Sequence, residues 1–415
     1  MPFPTLPFSA TFRPRLHHGV VEFPVHHMRG GTSTGLVLWD AFAPQDRQLR
    51  EELLRLLMGV PRDGRNDGNR QITGLGRGSA TSNKVFFASV DQAKNVLVST
   101  LAQLAHNHGG VDWGVNCGNM SASLHLWAID TGLVMPAPGL GLGPDGHCEL
   151  AIHNTNTGVT TVSRMHTRAN GAFATATIPG VDGAYPAVDL FMQDPAGAKT
   201  GRLLPTGAVV DIIDGIAVSC VDVAVPMVIC AAGDFGKTAH EPIADLAADA
   251  AFMARLRTVW TGAGLKMGLK NSAGSLMTAA DLAHSETIPK ICIVGPPQHG
   301  GHIAVRYFTP QQGHASMAVS GGCCLAAAVL IPGSVAHSVA PGPHARATFG
   351  DILVSIENPA GMLDATVDCK LVDGALAIRS AAYRRSAQIL VRGHVPLYGA
   401  SAALTAALTE TPTER

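Results

Sequence analysis

The sequence predicts an α+β protein built as two similar halves, each a strand-rich layer around one apolar helix. Three observations carry this. At 415 residues the chain exceeds the size at which a single core usually stops growing. Extended runs, many alternating apolar and polar residues, outnumber helical ones. Two nearly uncharged segments rich in small residues, 118–133 (GNMSASLHLWAIDTGL) and 321–335 (GGCCLAAAVLIPGSV), lie about 200 residues apart, one in each half. A helix that is apolar on every side is buried on every side, so each is expected to thread the middle of a β layer, and their spacing suggests a duplicated architecture.

The elements follow in order. Residues 1–18, with Pro2, Pro4, Pro7 and Pro14, read as a loose N-terminal tail and not as a signal peptide. The first domain is expected over 19–200 and the second over 201–415, with the last strands free to return to the first. The boundary is placed near 197–207, where AGAKTGRLLPTG is all turn chemistry. Strands are expected at 21–26, 85–90, 96–101, 149–153, 172–178, 208–213, 216–225, 290–294, 302–308, 352–356 and 375–382. The alternation reads as antiparallel pairing, and Asp214-Gly215 and Asp373-Gly374 are hairpin signals. An amphipathic helix is expected over 45–58, with Leu49, Leu53, Leu56 and Leu57 on one side and Arg47, Arg50, Glu51 and Arg55 on the other. A second covers 240–258.

Composition narrows the function. With 30 Lys+Arg against 31 Asp+Glu the net charge is −1, which argues against a nucleic-acid surface, so an anionic ligand must be met by local donors. The eight cysteines show neither CxxC pairs nor zinc spacing, so most are expected to be buried thiols in a reducing cytoplasm. No run is long and apolar enough to span a membrane.

Three stretches can carry chemistry. Met28-Arg29-Gly30-Gly31-Thr32-Ser33-Thr34-Gly35 ends the first strand in a glycine-rich turn. It is either an ordinary turn or a cradle of N–H groups in which Arg29 and Ser33 meet a carboxylate. The loop GLGRGSATSNKV (74–85) brings Lys84 to the start of a strand. There a lysine is either a solvated charge or, turned into a dry pocket, an amine base. Asn116-Cys117-Gly118-Asn119 leads into the first apolar helix. Cys117 is either an inert buried thiol or a thiolate favoured by the helix dipole, and the N–H groups of Gly118 and Asn119 can hold a carboxylate beside it. In the second half Ser320 is expected to cap the other apolar helix, with Gly321 and Gly322 as donors. Two such N-termini facing one another across a cleft would suit a di- or tricarboxylate.

Together these stretches resemble the 2-methylaconitate cis-trans isomerase family, which also holds 4-oxalomesaconate tautomerases and methylitaconate and aconitate delta-isomerases. The matching pieces are MRGGTSTG (28–35), GLG…TSNKV (74–85), NCGN (116–119), KTGRLLPTG (199–207), VDVAVPMV (221–228), KMGL (266–269) and the SGG turn at Ser320, with ENPAG (357–361) and YRRSA (383–387) as fainter echoes. They occur in the family's order over nearly the whole chain. The resemblance implies a diaminopimelate epimerase-like fold: two pseudo-symmetric domains, each an antiparallel β-sheet barrel around a central helix. It also implies that Lys84 and Cys117 are the catalytic pair.

The resemblance implies neither a cofactor nor a metal. On that footing Arg29, Ser33, Asn116, Gly118, Asn119, Ser320, Gly321 and Gly322 hold the carboxylates of a small unsaturated acid while a proton, and with it a double bond, is moved. The related epimerases use a cysteine in each domain, whereas Ala318-Val319 carries no thiol. That argues against an amino-acid epimerase, and the presence of both Lys84 and Cys117 argues against a non-catalytic carboxylate binder. Thr34, Val225 and Arg77 depart from the residues usual in the family and bear on which acid is used. The expected partner is that polycarboxylate, with no nucleic acid or membrane, and a homodimer is left open.

Overall fold

The structure, a computed structural model, describes residues 12–78, 82–114, 117–133, 147–167, 172–271, 274–285 and 287–409. The chain runs β1 (Arg15–His17), β2 (Val20–Gly30), β3 (Ser33–Trp39), α1 (Arg47–Met58), β4 (Lys84–Asp91), β5 (Val96–Leu104), β6 (Val111–Asp112), α2 (Gly118–Asp130), β7 (His147–Asn154), β8 (Thr160–His166), β9 (Thr175–Ile178) and β10 (Val181–Gln193). It continues through β11 (Asp211–Ile213), β12 (Ile216–Val223), β13 (Val225–Ala231), α3 (Ile243–Ala248), α4 (Ala250–Met267), α5 (Ala279–His284), β14 (Lys290–Gly295), β15 (Ile303–Thr309) and β16 (Gln312–Gly313). The last elements are α6 (Val319–Leu330), α7 (Val335–Val339), β17 (Gly350–Asn358), β18 (Gly361–Val372), β19 (Ala375–Pro396) and α8 (Ala402–Thr409). Contacts divide the chain into two units. The first holds 12–177, 183–190 and 385–409, the second 178–182 and 191–384. The turn-rich 197–207 therefore lies inside the second unit, held by Asp222, whose Oδ2 accepts from the N–H groups of Lys199 and Thr200.

Within the first unit β2 pairs antiparallel with β3, β3 parallel with β4, β4 antiparallel with β5, β5 parallel with β7, and β7 antiparallel with β8. The second unit repeats that succession through β12, β13, β14, β15, β17 and β18. The sheets are therefore mixed, not antiparallel throughout as expected. The reason is the connections: α1 lies between β3 and β4, α2 between β5 and β7, α3–α5 between β13 and β14, and α6 between β15 and β17. A strand reached through a helix returns parallel.

Each sheet is covered on both faces. In the first unit Met28, Val37, Phe86 and Leu101 pack on Met120, Leu124 and Trp127 of α2. The alternate residues Phe23, Val25, Leu36 and Val85 pack on Leu53, Leu54 and Leu57 of α1 and Leu404 of α8. In the second unit Val221, Met227, Cys292 and Tyr307 face α6, while Cys220, Val228, Ile291 and Phe308 face α4 and α5. Burial on both faces explains why ten of the eleven residues of β2 are buried, Glu22, His26, His27 and Arg29 among them.

Several boundaries differ from expectation for local reasons. The helix expected over 240–258 is two: Asp249 turns extended and caps α4, accepting from Phe252 N–H at 2.9 Å. The strand expected over 216–225 is a hairpin, because Ala224 at φ 62° reverses the chain between β12 and β13. The second apolar helix begins at Val319 and stops at Leu330, since Ile331 precedes a proline and is extended.

α6 shows how closely the central helix is seated. A Cβ at Gly321 would stand 2.6 Å from the Tyr307 ring, and one at Gly322 would stand 2.5 Å from the Tyr383 ring. The glycine pair leaves room for two buried tyrosines. Gly322→Ala is therefore expected to lower the unfolding free energy by about 1–3 kcal/mol through overpacking, read as a lower urea midpoint. An unchanged midpoint would show that Tyr383 has room to move.

Candidate active site at the first turn of α2

β2 ends in Gly30-Gly31, and neither residue has space for a side chain. A Cβ at Gly30 would stand 2.5 Å from the carbonyl oxygen of Asn119, and one at Gly31 would overlap the Asn119 side chain. Gly31 is left-handed at φ 54°, which glycine adopts without strain. The end of β2 thus rests directly on the first turn of α2. Asn119 Nδ2 donates to Thr32 Oγ1 at 3.3 Å and ties that turn to the β2–β3 connection.

Cys117 is the N-cap of α2, extended at φ −138° and ψ 101°. Its Sγ accepts the Met120 N–H at 3.5 Å and lies 3.8 Å from the buried Ser33 Oγ. Its carbonyl accepts the Ser121 N–H and hydroxyl, both at 2.9 Å. The Gly118 and Asn119 N–H groups come before that first intrahelical bond, so they point outward at the positive end of the dipole. Cys117 is partly exposed, whereas Cys220, Cys230, Cys292, Cys323, Cys324 and Cys369 are buried.

Lys84 opens β4 and is only 5% exposed, so it is not a solvated charge. It stands opposite Gly35 on one side and Gln103 on the other. A Cβ at Gly35 would overlap the Lys84 carbonyl, so glycine sets that spacing too. Alternation places Lys84 on the face of Phe86 and Ala88, which is the α2 face, and puts Ser33 and Gly35 on the same face as Val37. Cys117, Ser33 and Lys84 therefore share one face of the sheet, at the end where α2 begins.

Two residues that sequence reasoning passed over hold this arrangement. Asn83 and Gln71 form a paired amide contact, Gln71 Nε2 to Asn83 Oδ1 at 3.0 Å and Asn83 Nδ2 to Gln71 Oε1 at 3.1 Å, both side chains buried. Gln71 also bonds Met58 O and Gly78 N–H. Together they pin the 71–78 loop to the residue before Lys84. Asn83 stood within a quoted motif, whereas nothing marked Gln71.

The remaining expected residues fall out as follows. Arg29 alternates with Met28 and Gly30 and so faces away from α2. Its Nη1 donates to Gly31 O at 2.8 Å and Ser386 O at 3.1 Å, Nη2 to Ser386 Oγ and Nε to Gln388 Oε1, both at 3.3 Å, and its guanidinium lies 4.6 Å from the Tyr185 ring centre. These donors brace the turn. Arg77, exposed, lies near His27, which burial first and Arg77 second push down to about 4. Asn116 lies outside the described residues.

In the second unit Ala318, not Ser320, is the N-cap of α6, and no side chain caps it; Ser320 falls inside the first turn. The Gly322 N–H donates to Ala318 O at 2.9 Å, so it belongs to the helix and is not an open donor. Those of Val319, Ser320 and Gly321 precede it. Among the described residues no three His, Cys, Asp or Glu side chains are grouped to hold a metal.

A family model described as PrpF protein matches residues 20–398. A (4E)-oxalomesaconate Delta-isomerase of Novosphingobium sp. (strain KA1) is 32% identical over 386 residues, covering 92% of this chain and 99% of its own. A 4-oxalomesaconate tautomerase of Pseudomonas putida is 32% identical over 382 residues, covering 91% of this chain and 96% of its own. The crystal structure of a methylitaconate-delta-isomerase aligns with a TM-score of 0.75 and 27% identity, covering 95% of this chain and 98% of that one. With α+β units, the ordered motifs and a family match over most of its length, the chain belongs to the PrpF protein family, whose relatives named above are isomerases.

Proposed function

We propose that this isomerase moves a proton, and with it a double bond, on a small unsaturated di- or tricarboxylic acid of the oxalomesaconate, methylaconitate or methylitaconate kind. The observation that carries the reading is the pair itself: a buried lysine and an N-cap cysteine on one face of one sheet, beside open N–H groups. The relatives' named activities support the substrate class.

In this reading a carboxylate rests on the N–H groups of Gly118 and Asn119. One member of the pair removes a proton from the carbon allylic to the double bond. The electron pair spreads into the conjugated carboxylate or keto oxygen, where the positive end of α2 stabilises it. The pair returns a proton at the far carbon of the allyl system, or at the same carbon after rotation. One proton leaves and one returns, so the step involves no net oxidation or reduction. Lys84 is the first base and Cys117 its partner; Ser33, within reach of Sγ, orients the thiol. An epimerase reading is disfavoured because the α6 N-cap is Ala318, which has no group to carry a second proton.

Incubation with a panel of such acids in deuterated water is expected to show deuterium entering at the allylic carbon. Lys84→Met should lower kcat by about 10²–10⁴-fold with an unchanged melting curve, and Cys117→Ser should lower it less. Near-normal turnover by Lys84→Met would remove lysine from the chemistry. Iodoacetamide should modify Cys117 ahead of the other cysteines, and substrate should protect it; labelling spread evenly would contradict an open, activated thiol.

Arg29 separates bracing from clamping. Arg29→Lys leaves buried carbonyls short of donors, so stability should fall by about 1–3 kcal/mol and kcat should fall for di- and tricarboxylates alike. A raised KM with an unchanged melting curve would return Arg29 to direct substrate contact.

A further inference from the structure

Lys84 has a direct cross-strand neighbour that no motif marked. Gln103 of β5 stands opposite it in the antiparallel β4–β5 ladder. One step nearer the sheet end, the Leu104 N–H donates to the Asn83 carbonyl at 3.0 Å. Asn83 and Leu104 are therefore a hydrogen-bonded pair, and Lys84 and Gln103 are the next, non-bonded pair, the kind whose side chains stand closest. Their Cβ atoms are about 5 Å apart. Directly paired residues share a face, and Gln103 alternates with Leu101, which packs on α2. Gln103 is thus on the α2 face beside the lysine.

The row across the sheet is Gly35, Lys84, Gln103 and Asp112. Its last member is placed by its neighbour: Trp113 stacks on Phe87 on the α1 face, ring centres 6.0 Å apart, so Asp112 is on the α2 face. Asp112 is turned to its own chain, its Oδ1 accepting the Gly114 N–H at 2.8 Å. At the other end Gly35 contributes no side chain, which leaves space on that face between Lys84 and the Ser33–Cys117 contact. Gln103 closes the opposite flank. From β3, which carries Ser33, to β5, which carries Gln103, is two strand spacings, about 10 Å. Lys84 stands between them.

Gln103 is partly buried, and its side chain makes no hydrogen bond among the described residues. Its amide carries two N–H donors. Being neutral, it neither repels the ammonium beside it nor pairs with it as a carboxylate would. The N–H groups of Gly118 and Asn119 offer donors for one end of an acid; Gln103 offers donors on the far side of the lysine, where the other end would lie.

We infer that Gln103 is a substrate-contacting residue, its amide N–H₂ donating to the carboxylate or keto oxygen at the end of the acid remote from the α2 N-terminus, and that it selects acids carrying an oxygen there. The inference rests on the proposed reading for where the acid lies, and deepens it by naming what holds the second end.

The test uses the full chain with Gln103→Met, which keeps the length and removes the amide, and Gln103→Asn, which keeps the amide one carbon shorter. Tricarballylate, a saturated tricarboxylate with no double bond to shift, is titrated calorimetrically. Gln103→Met should bind it roughly ten- to hundredfold more weakly, with Gln103→Asn in between. Melting curves should be unchanged, because the amide bonds nothing within the protein. In turnover, the kcat/KM preference for an unsaturated diacid over the monoacid lacking its distal carboxylate should shrink in Gln103→Met by a similar factor. Wild-type affinity in Gln103→Met, a loss shared equally by diacid and monoacid, or no tricarballylate binding by the wild-type protein would overturn the inference. Near-normal turnover by Lys84→Met would end the proton-transfer reading, whereas the tricarballylate Kd reads Gln103 without turnover, so the two failures are distinguishable.

Discussion

The contact between Gly30-Gly31 and the first turn of α2 governs the site. Backbone meets backbone there, with no side chain between, and any residue larger than glycine at Gly30 would drive the strand end off Asn119 and Met120. Seating the helix in this way brings the N-cap thiol against Ser33, aims two open N–H groups outward, and puts the positive end of a thirteen-residue helix beside a buried lysine. The supports lie behind it. Arg29 staples the turn to Ser386 and Gln388 from the far face, and the Gln71–Asn83 pair fixes the entry into β4.

The two units share a strand-and-helix succession but spend it differently. At the α2 N-cap there is a thiol; at the α6 N-cap there is Ala318. Val225 stands where the first unit has Ser33, and the room beside α6 is filled by Tyr307 and Tyr383. What persists is a lysine at the head of the parallel strand and a helix N-terminus on the same face.

Much of this was legible in the sequence, and the rest was hidden for identifiable reasons. The two central helices stood out because uncharged, small-residue segments cannot sit on a surface. Cys117 and Lys84 stood out because each follows a glycine-rich loop at the start of an element. Strand direction did not, since alternation reports which faces are buried and is silent on whether the neighbour runs parallel. The placements of Arg29 and Gly322 were hidden for a related reason. Residue type says what a group can bind, but strand parity turns Arg29 away from α2, and helix position commits the Gly322 N–H to Ala318. Gln71 was invisible because its partner, Asn83, is its neighbour only once the loop has closed.

The central claim is that Lys84 and Cys117 stand on one face of one sheet, at one end, close enough to act on a single small acid. A short bis-alkylating reagent such as dibromobimane, which becomes fluorescent when it bridges two thiols, measures this in a Lys84→Cys variant. The account predicts strong bridging that disappears in Lys84→Cys combined with Cys117→Ser, the six buried cysteines staying silent in both. Fluorescence no higher than that of the wild-type protein, with positions 84 and 117 each still alkylated singly by iodoacetamide, would show that the two residues do not share a site.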